Sequence, residues 1–150
     1  MASKTFHFPG FSFVQGDIKV DVSLNRFEKQ YQRAQFYLDS QVMTDMVPYM
    51  PNRDGIFVDL TRLQSAALAG TGKVIAAAPP QGRFLYEGKV MVDPVTGSPW
   101  ARKGAKKVVT EKPLTYSNPK ATPHWFDTAE EAHGKAWVKG VKQIAGGGKK

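Results

Sequence analysis

From residue 11 to residue 22 the chain reads as extended. Ile18, Val20 and Val22 alternate with Asp17, Lys19 and Asp21, the two-residue period of a half-buried strand. Gly16-Asp17 supplies a turn just before it. The period then changes. Leu24, Phe27, Tyr31, Ala34, Leu38, Val42 and Met46 recur at steps of three and four, which predicts one long helix with that stripe packed inward. Ser23 is the expected N-cap. Pro48 ends the helix, because the residue before a proline is pushed out of helical geometry. At ~1.5 Å per residue such a helix is about 35 Å long, a large fraction of so small a domain.

Residues 48–55 have the composition of a loop. Asp59 is expected to cap a short helix with Leu60, Leu63, Ala67 and Leu68 inward, stopped by Gly70. A strand is expected over residues 73–78, broken by Pro79-Pro80-Gln81-Gly82. Residues 83–88 read as one helical turn closed by glycine. Residues 89–93 alternate like a strand, with Val90 and Val92 on one face. The run Asp93-Pro94-Val95-Thr96-Gly97-Ser98-Pro99 is rich in turn formers and predicts a hairpin or projecting loop. Val108-Val109 and Leu114-Thr115-Tyr116 are candidate short strands beyond it.

A second long helix is predicted near the C-terminus. Asp127 with Glu130, and Thr128 with Glu131, each have the spacing of a capping box, in which side chains satisfy orphan amides of the first turn. The helix should run to about Ile144. Ala129, Ala132 or His133, Trp137, Val141 and Ile144 would share one face. The glycine-rich end, 146–150, reads as a flexible tail. The expected divisions are an arm or strand at 1–22, one domain at 23–145 and the tail.

The 150 residues suffice for one domain with a real core, and 41% hydrophobic content favours folding over disorder. No cysteine is present, which excludes disulfides and thiolate metal sites. No apolar run approaches the ~20 residues of a membrane-spanning helix. The first residues lack a signal-peptide pattern, so a chain kept in a cytoplasm-like compartment, or in something assembled there, is expected.

The net charge of +8 is unevenly placed. Residues 1–60 carry six Lys/Arg against seven Asp/Glu, and residues 61–150 carry fifteen against six. A basic half points to a polyanion or an acidic protein partner. Arg102, Lys103, Lys106 and Lys107 form the densest cluster, with Trp100 beside it. Such a cluster is either a solvated loop tip or a contact with DNA phosphates or an acidic protein surface.

Several chemistries fail on spacing. Gly70-Thr71-Gly72-Lys73 resembles a phosphate loop, but the motif's first glycine falls on Ala67 and its Ser/Thr on Val74. It reads instead as a turn. His124 and His133 are nine apart, whereas paired helical zinc ligands sit four apart, and Asp127 would have to complete the set. Glu130 and Glu131 are adjacent and diverge by about 100° on a helix, so they are no catalytic pair. No Gly-x-Ser-x-Gly elbow exists. The expectation is a protein without enzymatic activity, metal or cofactor. Tyr86, Trp125, Phe126 and Trp137 are expected to be structural anchors, with Pro123 stiffening the approach to the last helix.

Three stretches carry a resemblance: AQFYLDSQVMTDMVPYMP, GRFLYEGKVMVDPVTGSPWARKGAKKVV and KPLTYSNPKATPHWFDTAEEAHGKAWVKGV. Together they resemble the minor capsid proteins of the head–tail joining region of tailed phages. The likeness covers residues 24–144 and is most specific in Leu85-Tyr86-Glu87-Gly88 and His124-Trp125-Phe126. One departure is local: the group often has Thr-Gly before the short second helix, where this chain has Asp54-Gly55-Ile56.

The resemblance implies an α+β fold, a small antiparallel sheet packed by a long N-terminal helix and a C-terminal helix, with an extended arm and loop. It also implies a structural virion protein, in a ring of sixfold or twelvefold symmetry within the neck. Its implied neighbours are portal, adaptor or head-closure proteins on one side and a tail terminator or tail tube protein on the other. Genomic DNA would pass through the channel, and no membrane would be involved. The implied location is the virion neck, reached from the host cytoplasm during assembly. Alternatives are a tail-terminator or tail-completion ring, a DNA-binding packaging accessory protein, and a hydrolase built on His124 and Asp127.

Overall fold

The computed structural model describes residues 10–146. Residues 1–9 of the expected N-terminal arm and residues 147–150 of the tail lie outside them. The fold is α+β, with a long N-terminal helix, a C-terminal helix and two antiparallel two-stranded sheets. The expectation of one small sheet therefore resolves into two separate hairpins.

The first hairpin pairs β1 (Phe11–Gln15) with β2 (Ile18–Val22) through Gly16-Asp17. α1 follows over Asn25–Met46 and gives way to a 3₁₀ turn at Val47–Tyr49 that contains Pro48. Ser23 does not cap α1. Leu24 holds that position without a side-chain cap bond, and the Leu24 carbonyl receives the Phe27 and Glu28 amides.

α4 (Trp125–Ala145) packs along α1. Trp137 bonds Asp45, while Gly140 faces Tyr37, so the two helices run antiparallel. A Cβ at Gly140 would lie 2.4 Å from the Tyr37 hydroxyl, so this glycine allows the close approach. Only five residues of α4 follow Gly140. The first turns of α1 consequently extend past it, and Phe27 and Tyr31, expected inward, are exposed. The core gathers instead on the last turns of α1: Val42, Met43 and Met46 pack with Met50, Val58, Trp125, Ala129 and Trp137.

α2 (Ile56–Ala66) corrects the sequence reading most sharply. Leu60 and Leu63, expected inward, are exposed together with Ile56. The buried face is Val58, Thr61 and Ser65. The hydroxyls explain it. Thr61 Oγ1 donates to the Phe57 carbonyl at 2.8 Å and accepts the Ala78 amide at 3.2 Å. Ser65 Oγ donates to the Ile75 carbonyl at 2.8 Å and accepts its amide at 3.0 Å. Residues 73–78 thus spend backbone groups on α2 side chains, and the strand expected there does not form. Asp59 sits within the first turn of α2 rather than capping it. Asp54 accepts the Ile56 amide at 3.1 Å.

α3 (Gly82–Glu87) is the predicted single turn, closed by Gly88 with a left-handed φ of 68°. β3 (Lys89–Val92) pairs with β4 (Val108–Pro113), and residues 93–107 form the connecting loop. Residues 114–116 are not a strand. The Leu114 amide donates to the Gly88 carbonyl and the Tyr116 hydroxyl to the Leu85 carbonyl, so both serve the end of α3.

Candidate functional site

Two places hold the residues singled out by sequence: the junction of α3 with the start of α4, and the loop between β3 and β4.

At the junction, Trp125 is fully buried and its indole N–H donates to the Ala76 carbonyl at 2.9 Å. Tyr86 stands edge-on to it with centroids 4.7 Å apart, and Phe57 does so at 5.9 Å, the T-shaped geometry aromatic quadrupoles prefer. His124 takes the residue before α4 in a left-handed conformation, φ 50°. Its amide donates to the Tyr86 carbonyl at 2.9 Å and its ring lies 4.9 Å from the Tyr86 ring. Its Nε2 is 3.7 Å from Glu87 Oε2. This tether starts α4 two residues before the earlier of the two capping boxes. Neither Asp127 nor Thr128 caps it, and Thr128 Oγ1 lies 2.9 Å from Thr122 Oγ1 instead. Burial pushes the Tyr86 phenol above its ordinary range, reinforced by the charges of Asp127 and Glu87.

Farther along α4, Trp137 donates to Asp45 Oδ2 at 2.6 Å and stacks on Phe126 at 6.3 Å. All four expected anchors are thus packed. Leu85-Tyr86-Glu87-Gly88 and His124-Trp125-Phe126, far apart in the chain, form one interlocked unit.

No family model, curated protein or solved structure matches the chain.

The metal and nucleotide readings meet direct geometric answers. His124 is engaged at Tyr86 and Glu87, whereas His133 lies 6.3 Å from the Tyr49 ring. Among the described residues no group of three or more His, Asp or Glu is arranged to hold a metal ion. In the Gly70-Thr71-Gly72 turn, the amides of Gly70 and Gly72 donate to Asp39 Oδ2 at 2.8 and 3.0 Å. Backbone amides that would cradle a phosphate are occupied by the protein's own buried carboxylate. Among the described residues no helix is long and apolar enough to cross a membrane.

The β3–β4 loop is organised by Asp93, which is fully buried. Its Oδ1 accepts the amides of Val95 and Thr96 at 2.8 and 3.2 Å. Its Oδ2 accepts both the Arg102 amide and Arg102 Nε at 3.0 Å. One carboxylate therefore ties both ends of the loop. Arg102, expected as a contact residue, is engaged here. Lys103 and Lys106 are exposed, Lys107 is half-buried, and none of the three forms an ion pair among the described residues. Ser98 Oγ accepts the Trp100 amide at 3.1 Å, yet the Trp100 side chain projects into solvent. Sequence reading missed Asp93, although Asp-Pro-x-Thr-Gly carries the signal of a side chain bonding the backbone two residues on.

The Arg102 side chain, followed by the Arg102 and Val95 amides, holds the Asp93 carboxyl far below the usual carboxylate range. A depressed acid contributes stability that is complete above its unfolded pKa of about 4 and lost as pH falls through the folded value. Loop protection should therefore be flat from neutral pH down to about 4 and fall only in stronger acid. Asp93→Asn should remove that acid transition and speed amide exchange at Val95, Thr96 and Arg102. Hydrogen exchange followed by NMR reads both, and unchanged exchange in the variant would refute Asp93 as the tether.

Proposed function

We infer that the chain is a structural protein of a tailed-phage virion, assembled as a homo-oligomeric ring in the neck that joins the DNA-filled head to the tail. The observation that carries this reading is the packing of Tyr86 against His124 and Trp125. The two stretches on which the resemblance is most specific meet as one unit, joined by the ring contacts and by the His124 amide on the Tyr86 carbonyl. His124 joins the two stretches through its amide and its ring, which supports a structural part for this residue. Portal-side and tail-side proteins are the proposed neighbours, and a tail-terminator ring is the nearest variant of the same reading.

A second reading, a DNA-binding packaging accessory protein, draws on the exposed Lys103 and Lys106 beside Trp100. Phosphate contacts release counterions, so such binding would weaken steeply with salt.

A reconstruction of the head–tail junction should place this chain in a ring between portal and tail. Its absence from purified particles would remove the virion reading. Deleting residues 102–107 should lower the yield of tailed, DNA-filled particles. Unchanged infectivity and full particles would eliminate the loop's role. Salt-sensitive binding of duplex DNA by the isolated monomer would favour the accessory reading.

A further inference from the structure

α2 is amphipathic in reverse. Its buried face carries Thr61 and Ser65, whereas Ile56, Leu60 and Leu63, spaced i, i+4 and i+7, form an apolar stripe turned outward. Ile56 and Leu63 are 68% and 69% exposed. Beside the stripe lies a cleft of about 280 Å³ lined by Ile56, Phe57, Leu60, Pro79 and Pro80, with Asp54 at its edge. Asp59 follows on the first turn of the same helix, and neither acid forms an ion pair among the described residues. Arg53 does not line the cleft, and Arg62 faces a separate one toward α1. Asp59 does not line it either, so the surface is an apolar slot with one acid, Asp54, at its edge.

The opposite chemistry stands on the β3–β4 loop. Trp100 is 85% exposed, and Lys103 and Lys106 lie within six residues of it. Its backbone is held by Ser98 on one side and by the Asp93–Arg102 clamp on the other. A large ring on a pre-ordered backbone loses little entropy on docking, the property of an aromatic anchor in a protein interface.

We propose that the Trp100 loop of one copy docks in the α2–Pro79–Pro80 slot of the next. The indole fills the apolar cleft, and Lys103 or Lys106 meets Asp54 at its edge. Knob and slot are different surfaces of one chain, so the contact is heterologous. Repeated around an axis, it closes a ring if the rotation closes. The proposal rests on the ring reading for closure alone. The contact itself follows from charge and shape.

The absence of cysteine makes a clean test. Ala101→Cys and Gln81→Cys place single thiols beside the knob and on the rim of the slot, both at exposed positions. Mixed in equal amounts with a short bismaleimide, the two chains should give an intermolecular crosslink that neither gives alone. Adding Trp100→Ala to the first chain should cut that product roughly ten- to a hundredfold, the scale of a lost aromatic anchor. Exchanging charges with Lys103→Glu and Lys106→Glu should weaken it, and Asp54→Lys should restore part of it. Far-UV circular dichroism checks that each surface variant is folded.

An assembled chain without the mixed crosslink overturns this contact and leaves the ring reading standing. A chain that stays monomeric at every concentration overturns the contact and counts against the ring as well. If Trp100→Ala spares assembly but abolishes duplex DNA binding, DNA is the occupant of the loop and the proposal falls.

Discussion

Trp125→Ala should cost about 3–5 kcal/mol of stability, the range for deleting a large buried aromatic. Trp125 is fully enclosed and touches three parts of the chain: Phe57 on α2, Tyr86 on α3 and the Ala76 carbonyl. Its loss leaves a cavity and strips that carbonyl of its donor, which by itself costs about 1–3 kcal/mol if it stays buried. Against the 5–15 kcal/mol typical of a folded domain, the variant should be partly unfolded at moderate urea. Trp125→Phe separates the contributions, because it keeps a ring but has no N–H. It should lose about half as much or less. Urea denaturation of the three proteins by circular dichroism makes the comparison. A loss below about 1 kcal/mol for the alanine variant would end the claim that this indole joins the elements.

Gly88→Ala should destabilise by about 2–5 kcal/mol, through two causes taken as additive. The residue ends α3 at φ 68°, where any Cβ carries a steric penalty of roughly 1–2 kcal/mol. The added Cβ would also sit 2.6 Å from Pro123 Cβ, in the segment that enters α4. Overpacking of that kind typically costs about 1–3 kcal/mol. Gly97→Ala is the matched control. Its φ is similarly positive, at 66°, but nothing lies within 4 Å of the added carbon. The difference between the two variants isolates the contact of Gly88 with Pro123. Equal losses would mean that the α3–α4 junction does not depend on that close approach. A large excess at Gly88 supports the interlocked unit from which the functional reading starts.

The legible parts of the fold were those set by local chemistry. The three-and-four spacing from Leu24 to Met46, Pro48 beyond it, the Gly16-Asp17 turn and the Gly88 stop all act within a few residues of themselves. Each appears where expected. The anchors were legible for the same reason: Trp125, Phe126 and Trp137 are large and apolar, and a chain this small has few places to put them. The site was less legible. Arg102 looked like a free cation and is half of a clamp, because its partner Asp93 lies nine residues away across a loop. Gly70-Thr71-Gly72 read only as a turn, while Asp39, which holds it, lies more than thirty residues earlier.

By itself, then, the sequence determined the α+β class, the two long helices, the basic loop and the absence of thiol chemistry. Tertiary structure alone decided which way α2 faces, where α4 begins and why residues 73–78 are not a strand. The reason is common to all three. A side-chain hydroxyl or a carbonyl distant in sequence offered those backbone groups a partner. Thr61 took Ala78, Ser65 took Ile75, and the Tyr86 carbonyl took His124. Periodicity measures which residues prefer to leave water, but it carries no information about which distant polar group will satisfy a buried amide. Where those two demands conflicted, at α2, the hydrogen bonds prevailed and the apolar stripe was left facing outward.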